Sequence, residues 1–212
     1  MGLTELPRLV PARPDRPDVG GPDHPMRRVT REIAFDPGGW NRERAAKVAE
    51  LFDSLAPTWG ERDVAERRES VRDALARGGP FPAGPCLEPG AGTGSATPDL
   101  LSAFPSSVVS MELSAEMLAH GAPIVPRARA DASALPVADG SVAVVALINM
   151  FLFPSEVERI LRPDGVLLCA STLGDGTPIY LPAADVLAAL PGDWDGVTAS
   201  AGWGTWLTAR RR

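Results

Sequence analysis

Lysine is nearly absent from this 212-residue chain: Lys47 is the single one, and every other basic side chain is an arginine. Net charge is −6. A protein that holds a nucleic-acid backbone normally shows a basic face, so no nucleic acid is expected as a partner. Cysteine is scarce too. Cys86 and Cys169 both fall in predicted central strands, which excludes a disulfide framework and reads as two buried free thiols in a reducing cytosol. The two histidines, His24 and His120, lie far apart, and no cluster has metal-ligand spacing, so no metal is expected. The longest apolar run, 142–153, is too short to span a membrane. No apolar stretch near the first residue resembles a signal peptide, so a cytoplasmic location without membrane contact is expected. What the chain has in quantity is Gly (21) and Pro (22), which with its many alanines suggests a GC-rich bacterial genome. At 44% hydrophobic and 23% charged residues it can fold as one large domain with an appendage.

Residues 1–39 carry prolines at 7, 11, 14, 17, 22, 25 and 37 and little periodicity. They read as an arm, neither helix nor central strand. A helix is predicted over 41–55, N-capped by Asn41, with Ala45, Val48, Ala49, Phe52 and Leu55 on one face and Pro57 as its stop. A second helix is predicted over 61–77, ended by Gly78-Gly79. From residue 81 strand and helix patterns alternate, which implies a parallel sheet with right-handed crossovers. The last pair, about 195–200 and 204–209, reads as a hairpin. The final Arg210–Arg212 reads as a solvated tail.

The chain is organised around LEPGAGTGS, residues 87–95. A short apolar strand ends at Glu88, and Gly90, Gly92 and Gly94 follow at alternate positions. Such a turn opens the crevice where an open α/β sheet binds nucleotide-like ligands. Dinucleotide enzymes use G-x-G-x-x-G to seat a pyrophosphate on a helix N-terminus. Here an acid precedes the first glycine by two residues and would repel a pyrophosphate. It suits a ligand bearing an ammonium and a sulfonium. A second strand ends in Glu112, whose carboxylate can accept from both ribose hydroxyls. FDSLAPTW (52–59) and DASALPVADGSVAVV (131–145) complete the order of segments.

These segments resemble the class I S-adenosylmethionine (SAM)-dependent methyltransferases, in particular the small-molecule "type 11" methyltransferase domain, over roughly 81–212. The resemblance implies an α/β, Rossmann-like, seven-stranded, mostly parallel sheet with an antiparallel last strand, plus an N-terminal helical extension. It divides the chain into the arm 1–39, a helical lid over 40–80 and a SAM-binding core over 81–212. It implies SAM as cofactor, held by Glu88, Gly90, Ala91, Gly92 and Thr93. Glu112 would take the ribose, Leu113 and Met117 would flank the adenine, and Asp131 would accept from the adenine amino group while the Ala132 amide meets the ring. The Asn149 carbonyl would take the SAM ammonium, and Trp59 would lie near the cofactor. Met117 and Trp59 suit core packing equally well, and Asp139 reads as turn chemistry.

Methyl transfer from SAM is an in-line displacement that asks mainly for alignment and exclusion of water, so no fixed triad is sought. His24, Asp36, Asp175 and Tyr180 are the candidate bases, and none is singled out. The function expected is methyl transfer to a small organic molecule. A SAM-binding protein without transfer activity is the alternative, and an NAD-dependent oxidoreductase fits less well because of Glu88 and the glycine spacing. Trp40, Trp59 and part of the arm are expected to form a lid over SAM and acceptor.

Overall fold

The computed structural model describes residues 2–212. The chain runs through strand β1 (Gly2–Glu5) and helices α1 (Met26–Phe35), α2 (Arg42–Trp59) and α3 (Glu69–Arg77) into strand β2 (Cys86–Pro89). Helix α4 (Thr97–Ala103), strand β3 (Val108–Glu112), helix α5 (Ala115–His120), strand β4 (Arg127–Arg129) and strand β5 (Val142–Ile148) follow. The remainder is helix α6 (Pro154–Ile160), strand β6 (Leu161–Ser171), helix α7 (Ala183–Ala189) and the hairpin of β7 (Trp194–Ala201) and β8 (Gly204–Arg211). Among the described residues no helix is long and apolar enough to cross a membrane.

All eight strands join one sheet in the order β1-β7-β8-β6-β5-β2-β3-β4, with β8 alone antiparallel to its neighbours. This is the expected α/β sheet with one strand more. The eighth is β1, which pairs parallel with the edge strand β7, Gly2 opposite Asp195 and Glu5 opposite Thr198. The two faces follow from the period-two alternation of strand side chains. Leu87, Val145, Leu167 and Leu207 pack one way, with α6 and α7. Their neighbours Cys86, Val144, Leu168 and Trp206 pack the other, against Val71 and Ala74 of α3 and Leu100 of α4. The strand order reverses at β2 and β5, and the crevice opens at their carboxyl ends.

Four expectations need correction. The arm is not structureless: α1 occupies the proline-free stretch between Pro25 and Pro37 and buries Thr30, Ile33 and Ala34. The prolines, counted over the whole arm, mark the ends of this helix instead of forbidding it. Helix α2 keeps its Asn41 cap, which accepts from Arg44 N at 2.9 Å, but runs through Pro57 to Trp59. The predicted 61–77 helix breaks into two 3-10 turns, Gly60–Arg62 and Ala65–Arg68, before α3. The final arginines are anchored. Arg210 donates to the Gly78 and Pro80 carbonyls at 2.7 and 2.9 Å, Arg211 lies over the Trp194 ring, and Arg212 pairs with Asp195.

A buried polar contact ties α3 to the sheet. The Asp73 carboxylate accepts from the Arg77 guanidinium and from Trp206 Nε1 at 2.7 Å. Burial works against its charge, yet the Arg77 and Trp206 hydrogen bonds hold its pKa below the ordinary value. A depressed pKa contributes stability above the unfolded carboxylate value and loses it as pH falls further. Asp73→Ala should cost about 3 kcal/mol in urea unfolding at neutral pH, because it leaves the buried Trp206 indole N–H unpaired and takes the carboxylate from the half-buried Arg77 guanidinium. The difference from wild type should shrink below about pH 4.

Candidate functional site

A cavity of about 810 Å³ opens at the carboxyl ends of the central strands. Of the residues expected to hold a cofactor, Trp59, Glu88, Gly90, Ala91, Gly92, Glu112, Leu113, Met117, Asp131, Ala132 and Asn149 line it; Thr93 does not. The ends of four strands, with Trp59 of α2 and Met117 of α5, bring them together, Asp131 and Ala132 following β4. β2 ends in the glycine turn, β3 in Glu112 and Leu113, and β5 in Asn149.

The glycine turn needs its glycines for two reasons. Gly90 and Gly92 have φ of +66° and +57°, which side chains rarely adopt. A Cβ at Gly90 would also collide with the Met150 sulfur, whereas one at Gly92 would enter open cavity, with only Trp59 Nε1 within reach at 3.6 Å. Trp59 thus stands over the turn, edge-on to Phe52 and beneath the Arg62 guanidinium.

Glu112 is 7% exposed and already engaged. One carboxylate oxygen accepts from Gly92 N at 2.8 Å, the other from Ser114 N at 2.9 Å. These bonds fix its plane and leave a lone pair on each oxygen. Glu88 is 2% exposed, and one of its oxygens accepts from Thr97 Oγ1 (2.6 Å) and Ser110 Oγ (2.8 Å). Burial outweighs both bonds and pushes its pKa up to about 7. Asp131 accepts from Ser133 N at 2.9 Å and, unexpectedly, from Trp40 Nε1 at 3.0 and 3.1 Å. Trp40 also packs on Phe151 and Phe153 of the loop after β5. Asn149 has φ +51°, and its side chain exchanges bonds with Thr172 at 2.8 and 2.9 Å. That side chain ties the loop to the end of β6. Asp139 pairs with Arg159 across 20 residues of sequence, and His120 meets the Glu116 carbonyl of its own helix.

Helix α2 roofs the cavity with Val48, Ala49, Phe52 and Leu55, and the arm adds Pro17, Val19, His24 and Met26. Asp53 on α2 accepts from Ser114 Oγ and Glu116 N, capping α5 from outside, and these two bonds lower its pKa. Arg67 was not foreseen. It lines the cavity half-buried, and burial, with the Arg62 charge beside it, lowers its pKa. Arg68 next to it is used on the Ser95 carbonyl and Asp99; no hydrogen-bond or ion-pair partner meets the Arg67 guanidinium among the described residues. No periodicity singles it out among the five arginines from 62 to 77.

Sheet order, crevice and glycine turn define the class I SAM-dependent methyltransferase fold. Residues 87–169 match the family described as "Methyltransferase domain", type 11, and the chain carries a domain of that family, whose methyl donor is SAM. A malonyl-[acyl-carrier protein] O-methyltransferase of Dechloromonas aromatica (strain RCB) is 34% identical over 152 residues, 68% of this chain. The chain spans 57% of that relative's length. Two solved structures share the fold. A SAM-dependent methyltransferase and possible histamine N-methyltransferase from Thermotoga maritima has TM-score 0.58 at 15% identity, covering 77% of this chain and 99% of its own. The [4+2]-cyclase SpnF has TM-score 0.60 at 16% identity, covering 79% and 96%.

The raised pKa of Glu88 has a measurable consequence. Its unfolded value is about 4.5, so the protonated, folded form contributes stability fully below that pH and loses it by about pH 7. Relative to Glu88→Gln, which cannot ionise, the ligand-free wild type should lose a few kcal/mol across that window in chemical unfolding. Parallel pH profiles for the two would show that Glu88 titrates normally.

Proposed function

We propose that this protein transfers a methyl group from SAM to a small organic acceptor. The observation that carries the reading is the convergence of Glu88, Glu112, Asp131 and the glycine turn on one cavity that also has room beyond the cofactor. Glu112, held by two amides, presents its remaining lone pairs to the ribose hydroxyls. Leu113 and Met117 sandwich the adenine, and Asp131 with the Ala132 amide reads its edge. Glu88 and the Asn149 carbonyl offset the positive end of SAM. Arg67 supplies the one charge this set lacks, a cation for the carboxylate of the methionine moiety.

The elements 40–80 and the arm act as the lid over the core 81–212. Trp59 covers the glycine turn, Trp40 covers Asp131, and residues 17–26 wall the acceptor end. Closure excludes water and aligns nucleophile, methyl and sulfur. The relative from Dechloromonas aromatica, named as an O-methyltransferase, supports oxygen as the atom methylated. This chain's residues bind, orient and desolvate; SAM supplies the activated methyl.

Calorimetry decides the cofactor. S-adenosylhomocysteine and SAM should bind and NAD should not; NAD binding without SAM binding ends the reading. Glu112→Ala and Arg67→Met should each weaken S-adenosylhomocysteine binding by about 1.5–3 kcal/mol, the range for hydrogen bonds to charged groups. Gly92→Leu should abolish it by filling the methionine space. Wild-type affinity in Glu112→Ala would show that the ribose lies elsewhere.

A further inference from the structure

Four side chains were open as proton acceptors for the reaction, and the structure separates them. Asp36 is exposed and accepts from Gly38 N. Asp175 pairs with Arg16, and the Tyr180 ring is covered by the Arg27 guanidinium 4.6 Å from its centroid. None of these three lines the cavity, and His24 does. It lies in the arm two residues before Met26, which with Phe151 and Ile179 belongs to the apolar cluster at that end of the cavity.

The tautomer of His24 follows from one bond. Nδ1 accepts the N–H of Met26, the first residue of α1, at 3.1 Å. A ring nitrogen that accepts carries no proton, so in the neutral ring the proton sits on Nε2. No hydrogen-bond partner meets Nε2 among the described residues, whereas Nδ1 is satisfied. To serve as a base through Nε2 the ring would have to change tautomer and abandon Met26 N. The other acids of the wall stand on the cofactor turns (Glu88, Glu112, Asp131) or in the exposed turn after α2 (Glu61, Asp63).

We propose that His24 is a hydrogen-bond donor to the acceptor, and that the acceptor is an organic carboxylate with an apolar body, methylated on oxygen. The inference rests on the methyl-transfer reading and names its substrate class. A carboxylate is already ionised at neutral pH and asks for no base. One of its oxygens takes the Nε2 proton as a hydrogen bond. A lone pair of the other forms the new O–CH3 bond while the C–S bond breaks and its electron pair stays on sulfur. The sulfonium and carboxylate charges cancel, giving a neutral ester and S-adenosylhomocysteine with no proton released. An alcohol or an ammonium acceptor would release one proton per turnover.

The test uses full-length protein, 15N-histidine labelling and hexanoate, hexan-1-ol and hexylamine as probes. S-adenosylhomocysteine affinity is measured first; its absence in wild type overturns the methyl-transfer reading and this inference together, whereas its presence isolates the acceptor question. In the free protein the His24 nitrogen shifts should report a proton on Nε2, and hexanoate, added to the S-adenosylhomocysteine complex, should move the Nε2 resonance while the other two probes do not. His24→Phe should keep cofactor affinity and lose hexanoate binding about tenfold to a hundredfold, the loss of a hydrogen bond to a charged group. His24→Gln, which retains an N–H donor, should stay within a few-fold of wild type, a rescue that a packing role would not give. A proton on Nδ1, a shift with hexylamine or hexanol instead of hexanoate, or hexanoate binding unchanged in His24→Phe overturns the proposal.

Discussion

The carboxylate of Glu112 joins two turns that share no strand. One oxygen holds Gly92 N in the glycine turn, and the other holds Ser114 N at the start of α5. The crevice therefore has a fixed width before any ligand arrives. Glycine at 90 and 92 lets the first turn reach the carboxylate at positive φ. Ser114, its amide already engaged, is free to cap α5 with its hydroxyl and to meet Asp53 of the roof helix. The Glu112 carboxylate thus sets the geometry of the crevice itself.

From that junction the roof is built outward. Asp53 fastens α2 at one end, and Trp40 fastens the approach to α2 on Asp131. Between these two points α2 turns its apolar face to the cavity, so a helix that looks like an ordinary packing element lends its hydrophobic stripe to the cavity wall. Arginines of the arm hold the far wall through Glu69, Asp175 and the Leu173 carbonyl. Such contacts are individually weak at the surface, and their number and spread along the arm matter more than any one of them.

The core was legible because its signals are local. LEPGAGTGS gives strand, turn and helix start in nine residues, and the apolar run 142–149 gives a strand covered on both faces. The acids Glu88, Glu112 and Asp131 stand at strand ends, where a parallel sheet must place them near one another. The roof was harder to read because its signals are not local. Asp53 capping α5 spans 61 residues or more of sequence, and Trp40 meeting Asp131 spans 91. Nothing near either residue announces its partner. Arg67 was hidden by company, one arginine among several, distinguished only by what does not touch it. Helix α1 was obscured by counting prolines over the arm instead of reading the proline-free stretch between them.

Strand β1 carries a consequence for biosynthesis. Its partner β7 lies about as far away in sequence as the chain allows, with Gly2 opposite Asp195. Translation delivers the amino-terminal segment first. The arm therefore has to wait, unpaired, until the final hairpin has left the ribosome and docked on β6. Only then can β1 be held on the edge of the sheet. A chain made as far as α5 already holds the glycine turn, its carboxylate and α2 with the Asp53 contacts that fasten it, so the roof can be in place before the sheet edge is closed.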